Sequence, residues 1–237
     1  MFNLEKIIPI DSNFSFMNFR KIMLIISSIF IIIFILLLFF KGLNLGIDFK
    51  GGTLIEVKTK NSNISELRKI LGPEFNDVSL QEFGNTDTII IRLQNNSANE
   101  NITTINKVKE LINDKVSEYR RSEFVGPTIS SELFIKGLQA ISFALIAILI
   151  YIWIRFEWQF SLGAIIALFH DVIITLGVFS LFSLEINLSI VAAVLTIVGY
   201  SMNDTVVIFD RVRENLKKFS DIKIFELTNI SINETLS

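Results

Sequence analysis

The chain has 237 residues, of which 51% are hydrophobic, 19% are charged and 22 are phenylalanine. Soluble domains carry nearer a quarter charged residues, so this composition indicates a membrane protein. A formal net charge of −2 argues against a nucleic-acid surface. The chain contains no cysteine, which excludes a disulfide framework. Its single histidine argues against a histidine-rich metal site. We therefore expect no cofactor, no metal and no nucleic-acid partner.

Four apolar runs are long enough to cross a hydrocarbon layer about 30 Å thick. They cover residues 22–40, 137–154, 160–182 and 188–209. The first could instead be a secretory signal, but the run is too long for one and no small-residue cleavage site follows it. The chain is therefore predicted to be an α-helical membrane protein with four transmembrane helices.

Basic residues in short loops predict the orientation of these helices. They precede the first run, separate the second from the third and follow the fourth, whereas the link 183–187 has none. The residues concerned are Lys6, Arg20, Lys21, Arg155, Arg211, Arg213, Lys217 and Lys218. This pattern predicts a cytoplasmic amino terminus (1–21), a cytoplasmic segment at 210–237 and an insert (41–136) on the periplasmic side of a bacterial inner membrane.

The insert is predicted to be a folded α+β domain. Residues 53–59 alternate like a strand, and 64–71 suit a helix stopped by Gly72 and Pro73. Two strands, 78–83 and 88–93, are joined by the link 84–87. Apolar residues from Ile102 to Val116 follow helical spacing, and 119–125 form a last strand. The order β-α-β-β-α-β is that of a ferredoxin-like fold.

Asp204 interrupts the fourth run, and a charge at mid-bilayer costs roughly 2.5–3.5 kcal/mol on insertion scales. Residues three and four apart share a helix face, so Asp204 belongs to a polar or small stripe. The stripe comprises Thr196, Gly199, Tyr200, Asn203 and Asp204. The opposite face, with Val191, Val194, Val198 and Met202, is predicted to meet lipid or apolar neighbours.

We expect the stripe to be buried among helices, where Asp204 can bind and release a proton. Burial favours the neutral form of a carboxylate and a nearby cation favours its charged form. Two other interpretations stay open. In the first, Asp204 is a structural residue bonded to Asn203, Tyr200 or nearby backbone. In the second, the membrane span ends near Phe209, and Asp204 lies at the cytoplasmic interface, about 8 Å from that end.

His170 and Asp171 interrupt the third run. As neighbours they point about 100° apart on a helix and need not touch. His170 can join a proton path or serve as a hydrogen-bonded packing group, and Asp171 is predicted to bind a polar group of another helix. Gly163 and Ala167 would permit close helix approach.

Two further features have limited functional meaning. The charged group of Asp210, Arg211, Arg213 and Glu214 is predicted to form local ion pairs where the helix leaves the membrane. Gly51 and Gly52 lack the lysine-serine/threonine ending and the following helix of a phosphate-binding loop. No nucleotide site or hydrolytic triad is indicated, so we expect no catalytic residues and no enzymatic activity.

Several segments resemble the SecF subunits of the SecDF protein-export complex. Residues 46–53 (GIDFKGGT) resemble the motif after the family's first span, with Gly46, Asp48, Gly51 and Gly52 in the matching places. Further resemblances lie at 125–133, 155–158, 167–171 and 198–215. They cover nearly the whole chain in the family's order.

The resemblance implies a partnership with SecD, assistance to the SecYEG channel and SecA, and use of the proton gradient to help move preproteins across the membrane. It also implies a membrane architecture similar to that of the resistance-nodulation-division transporters. Asp204 and Asn203 match the family's proton-coupling position on the fourth span. His170 and Asp171 match its third-span His-Asp pair.

The resemblance also implies six spans, whereas four are predicted here. Residues 231–237 (SINETLS) resemble the start of the fifth-span motif, after which an arginine partner for Asp204 is expected. The chain could thus be truncated, or the other spans could be supplied separately. Two other functions stay open: proton-driven efflux of the resistance-nodulation-division type, and an inactive fragment. The single small insert argues against efflux, because efflux pumps need larger periplasmic domains.

Overall fold

A computed structural model of the chain describes residues 13–60, 63–75, 78–94, 98–219 and 221–236. Lys6 and Ser237, both used in the sequence predictions, lie outside the described residues. The chain divides into two units. The membrane unit comprises Met1–Leu43, Phe143–Leu184 and Ala192–Ser237, and the insert unit comprises Asn44–Ser142 and Glu185–Val191.

A short 3-10 turn, Phe16–Asn18, precedes the regular elements. These are, in chain order, α1 (Arg20–Phe40), β1 (Asn44–Leu45), α2 (Ile47–Lys50), β2 (Gly52–Thr59), α3 (Ile64–Leu71), β3 (Val78–Phe83), β4 (Asn85–Leu93), α4 (Ala98–Ile112), β5 (Val116–Val125), α5 (Pro127–Arg155), α6 (Trp158–Leu181), β6 (Glu185–Ile186), α7 (Leu188–Lys218) and α8 (Ile224–Leu236).

Four helices, α1, α5, α6 and α7, are long and apolar enough to cross a membrane, in agreement with the predicted spans. Two of them are longer than their apolar runs. The α5 helix begins at Pro127 rather than at residue 137, because proline suits the first position of a helix, where its missing N–H is not needed. The α7 helix continues past residue 209 to Lys218, since charged residues can continue a helix beyond its apolar part.

In the membrane unit, α1 and α6 run in the same direction. The Lys41 ammonium after α1 donates to the carbonyl of Leu181 at the end of α6, at 2.8 Å. The Ser180 hydroxyl donates to the carbonyl of Gly42 at 2.7 Å. Parallel first and third spans are what an alternating four-span topology requires.

In the insert unit, four strands pair antiparallel in the order β3-β4-β2-β5. The sheet and the two helices α3 and α4 enclose one apolar core. Its fully buried side chains include Ile55, Val57, Leu67, Leu71, Ile89, Ile91, Val108 and Ile112. The predicted order of strands and helices in this insert is confirmed.

Two details of the insert prediction are wrong. Val116, which fitted the helical spacing, begins β5 and pairs with Thr59. The helix ends earlier because the N–H of Lys115 turns back to Ile112, and the carbonyl of Lys115 then accepts from Lys60 at 2.9 Å. The link between β3 and β4 is Gly84 rather than residues 84–87, because Gly84 takes a φ of +71° that favours glycine.

The α8 helix packs on the end of α7 through polar side chains. The Asn215 amide, on α7, donates to the Ser231 hydroxyl at 3.1 Å and to a Glu234 carboxylate oxygen at 2.8 Å. Asn215 and Ser231 are both fully buried. The Asn233 amide exchanges two hydrogen bonds with the backbone of Phe14, at 3.0 and 2.9 Å.

Candidate functional site

The polar stripe of α7 lies on the surface of the chain, with Asn203 and Asp204 both exposed. Tyr200 is 70% exposed. On the opposite face, Val198 is 2% exposed and Met202 is 7% exposed. The helices of this chain that the structure describes therefore do not bury the stripe, and its burial among helices stays a prediction. The opposite, apolar face packs within the chain instead, and close van der Waals packing of this kind stabilises contacts between membrane helices.

The packing of that apolar face is specific. Met202 lies in a cluster with Ile152 and Phe156 of the α5 region and Ala164 of α6. Phe209 adds edge contacts to the rings of Phe156 and Phe160, with centroids 5.9 and 5.1 Å apart. The chain's own helices thus orient α7 so that its polar stripe faces outward.

A shallow depression of about 340 Å³ follows the stripe. It is lined by Thr196, Gly199, Tyr200 and Asn203. Gly199 has open space where a Cβ would be, so a second helix can approach the backbone here. Among the residues that the structure describes, Asp204 has no ion pair and no side-chain hydrogen bond. The bonded structural role is thus not found within this part of the chain.

His170 and Asp171 form a connected group with α7. The Nδ1 atom of His170 lies 2.8 Å from Oδ1 of Asp171, although adjacent helical residues need not touch. The Ser201 hydroxyl on α7 donates to the other Asp171 oxygen. The predicted bond from Asp171 to a polar group of another helix is therefore confirmed. Asp171 thus links α6 to α7, whereas His170 bonds to Asp171 on its own helix, and both interpretations of His170 stay open.

The charged end of α7 forms the predicted local ion pairs. Asp210 lies 2.5 Å from the guanidinium of Arg155 and 3.4 Å from that of Arg213. Glu214 pairs with Arg211 at 3.0 Å and with Lys218 at 2.8 Å. Because the helix continues to Lys218, Asp204 lies about 21 Å before its last residue at the usual rise per residue. Asp204 is therefore not in the last turns of this helix.

The motif 46–52 reaches the start of α7. The Asp48 carboxylate accepts a hydrogen bond from the N–H of Leu188 at 2.9 Å. The N–H of Gly46 donates to the carbonyl of Ile186, also at 2.9 Å. Gly51 and Gly52 have φ values of +76° and +115° and lead into β2, not into a helix. These two glycines form a backbone turn, and the absence of a helix directly after them agrees with the prediction that they are not a phosphate-binding loop.

Sequence reasoning missed the contacts of this motif and one buried ion pair. Arg92 of β4 pairs with Glu185 of β6, with side chains only 10% and 15% exposed. Neither Asp48 nor Arg92 stands out by spacing, because their partners lie far away in the chain. An acidic residue close to a glycine pair was the available signal for Asp48, and no comparable signal marks Arg92.

Two protein-family models match the chain, one over the motif 46–52 and one over the helices α6 and α7. The family model "SecD/SecF GG Motif" matches residues 36–62, and the model "Protein export membrane protein SecD/SecF, C-terminal" matches residues 103–237. The first match contains Asp48 and the two glycines. The second contains the third-span pair and the stripe of α7.

Curated relatives and a solved structure extend the match. A protein translocase subunit SecF from Rickettsia bellii is 43% identical over 98% of this chain and 78% of its own length. The SecF of Calditerrivibrio nitroreducens is 47% identical over 98% of this chain and 79% of its own length. The crystal structure of SecDF, a translocon-associated membrane protein from Thermus thermophilus, superposes with a TM-score of 0.84 at 33% identity.

The structural superposition covers nearly all of this chain but only part of the Thermus chain. The superposition covers 96% of this chain but 32% of the Thermus SecDF chain. A second SecDF structure, in a super-membrane-facing form, superposes with a TM-score of 0.64 at 32% identity. The relatives, the family models and the fold agree on one assignment. The chain belongs to the SecF family of protein translocase subunits.

Proposed function

We propose that this chain is the SecF-type subunit of a membrane complex that uses the proton motive force to assist preprotein translocation. In this proposal it works with a SecD-type subunit, beside the SecYEG channel and SecA, as a transport subunit and not as an enzyme. The observation that carries the proposal is the outward-facing stripe of α7 with Asp204 in it.

The exposure of the stripe supports a partner in the membrane. A carboxylate facing lipid would be costly, and polar or small residues on a span are typical of helix–helix contacts. The superposed Thermus structure is a SecDF chain of which this chain covers 32%, so a SecD-like part lies in that same chain. A SecD-type span is therefore the proposed cover of the stripe, and it would turn Asp204 into a buried, proton-binding group.

The proposed location is a bacterial inner membrane with a cytoplasmic amino terminus and a periplasmic insert. The loop charges support that orientation, and the parallel α1 and α6 helices support alternating spans. The antiparallel strand order β3-β4-β2-β5 supports the ferredoxin-like interpretation of the insert.

The test is an export assay in a strain depleted of SecF. Because the curated SecF relatives extend beyond the matched region, the chain is expressed both as it stands and joined to the remaining segment of one relative. The joined Asp204→Asn variant is expected to lose most export stimulation, and Asp204→Glu to keep part of it. Asp210→Asn, the same change at an ion-paired residue of the same helix, is the control.

A second arm uses a protonophore. Removing the proton gradient is expected to lower export with the parent to the level of Asp204→Asn and to leave that variant unchanged. Export by Asp204→Asn at the parental level would refute the proton-coupling role. Export that needs no SecF-type chain, together with gradient-dependent loss of a small lipophilic cation from the cells, would favour the efflux alternative.

A further inference from the structure

Residues 185–188, which belong to the insert unit and lead into α7, are held by three contacts with other residues of that unit. The first is backbone pairing. The strand β6 pairs in parallel with β1, with Asn44 opposite Glu185 and Leu45 opposite Ile186. The hydrogen bond from the N–H of Gly46 to the carbonyl of Ile186 extends this pairing. A link that looks like a short polar loop in the sequence is thus part of a sheet.

The second contact is the ion pair of Arg92 and Glu185. Arg92 belongs to β4, inside the four-stranded sheet, and its guanidinium also donates to Oε1 of Gln81 at 3.3 Å. A Cβ at Gly46 would collide with the Glu185 carboxylate, so the glycine of the motif leaves room for the pair. Removing one partner of a buried pair is strongly destabilising, because the other charge stays buried without compensation.

The third contact caps α7. The first N–H groups of a helix lack partners within the helix, and here the N–H of Leu188 donates to Asp48. A carboxylate at this end also interacts favourably with the helix dipole. Asn187 caps the same turn by accepting from the N–H of Ile190 at 2.9 Å. Asp48, distant in sequence, therefore fixes where and how this helix begins.

The helix that starts at this cap also carries the stripe. It is continuous from Leu188 to Lys218, and Asp204 lies about 24 Å along it from Leu188 at the usual rise per residue.

We propose that Gly46, Asp48 and Arg92 form a clamp on residues 185–188, within the insert unit, that fixes the first turn of α7. In this role Asp48 and Arg92 are positioning residues for the helix that carries Asp204. The inference rests on the proposed function, because the start of α7 matters for export only if Asp204 takes part in proton-driven export.

The test begins with hydrogen exchange at the first turn of α7, measured on the chain in its SecD-containing complex in lipid nanodiscs. Asp48→Ala is expected to speed exchange of amides 188–191 by about tenfold, the effect of losing a helix cap. Glu185→Gln is expected to speed it as well, because it removes the ion pair that holds β6 against Arg92. Asp48→Asn keeps an acceptor oxygen and is expected to retain most protection. Glu82→Gln, on an exposed residue of the same sheet, is the control and should change nothing.

Export is then measured with the same variants. Asp48→Ala and Glu185→Gln should lower it, and Asp48→Asn should restore most of it, a recovery that a general folding defect would not show. Because the chain has no cysteine, a Leu45→Cys/Ile186→Cys pair gives a clean crosslink between register partners. In the Glu185→Gln background this disulfide should restore both protection and export, and its reduction should reverse both.

Unchanged exchange in Asp48→Ala and Glu185→Gln would overturn the clamp itself. Faster exchange with parental export would overturn the role of the clamp in export, as would a disulfide that restores protection but not export. Failure of the proposed function is recognised separately, by parental export in Asp204→Asn, and the exchange measurements do not depend on that result.

Discussion

The ring of Phe34 on α1 lies directly against Gly177 on α6, in the space that any side chain at residue 177 would need. A Cβ at this position would overlap the Cβ, Cγ and Cδ1 atoms of Phe34. Phe34 is 7% exposed on a helix whose other large side chains mostly face outward. Gly177 therefore determines how closely α1 and α6 approach.

Gly177→Ala is expected to lower the free energy of unfolding by about 1–3 kcal/mol, the usual cost of overpacking. The measurement is reversible unfolding of the purified chain in mixed detergent micelles. Gly163→Ala on the same helix is the matched control, because its Cβ would lie an ordinary 3.6 Å from Phe209. Equal stability of the two variants would contradict this account of the α1–α6 contact.

Ser161→Ala is expected to destabilise the connection between α5 and α6 by about 1 kcal/mol. The buried Ser161 hydroxyl can donate to the carbonyls of Ile152 and Phe156, at 3.2 and 3.3 Å, and alanine leaves them without this donor. Ser142→Ala removes an exposed hydroxyl that bonds only within α5, at 2.8 Å from the Leu138 carbonyl. If both changes lowered the free energy of unfolding equally, the hydrogen bond from Ser161 to the end of α5 would not contribute to stability.

Gly199→Leu is expected to leave the stability of the chain alone unchanged, since nothing lies within 4 Å of the added Cβ. It should nevertheless reduce co-purification with a SecD-type subunit, because the proposed partner helix approaches this face. Ala147→Leu, at an exposed position of α5, adds similar bulk elsewhere and should keep the partner. A partner yield unaffected by Gly199→Leu would place the contact on another face.

Asn215→Ala is expected to loosen α8. It removes the buried amide that bonds Ser231 and Glu234, and a buried polar group left without its partner costs roughly 1–3 kcal/mol. Hydrogen exchange should become about tenfold faster across residues 224–236, the fold-change that corresponds to about 1.4 kcal/mol. Thr228→Val, whose hydroxyl bonds only within α8 at 2.7 Å, should show the parental exchange rate.

Local patterns predicted most of the fold. Apolar runs located the four spans, and alternation or helical spacing located the elements of the insert, because both signals depend on near neighbours in the chain. The helix ends were predicted less well. Apolar runs record hydropathy, whereas a helix ends where backbone hydrogen bonding ends, as at Lys218. Val116 was assigned to a helix because an apolar residue at the right spacing fits two alternatives.

The candidate site divides in the same way. Periodicity alone established that Tyr200, Asn203 and Asp204 share one face of α7, and the motif residues marked the family resemblance. Only the tertiary structure decided that this face points outward, that Asp171 binds Ser201 and that Asp48 caps α7 at Leu188. The physical reason is that the sequence by itself determines which residues share a face, whereas the neighbours of that face come from packing between segments as far apart as residues 48 and 188.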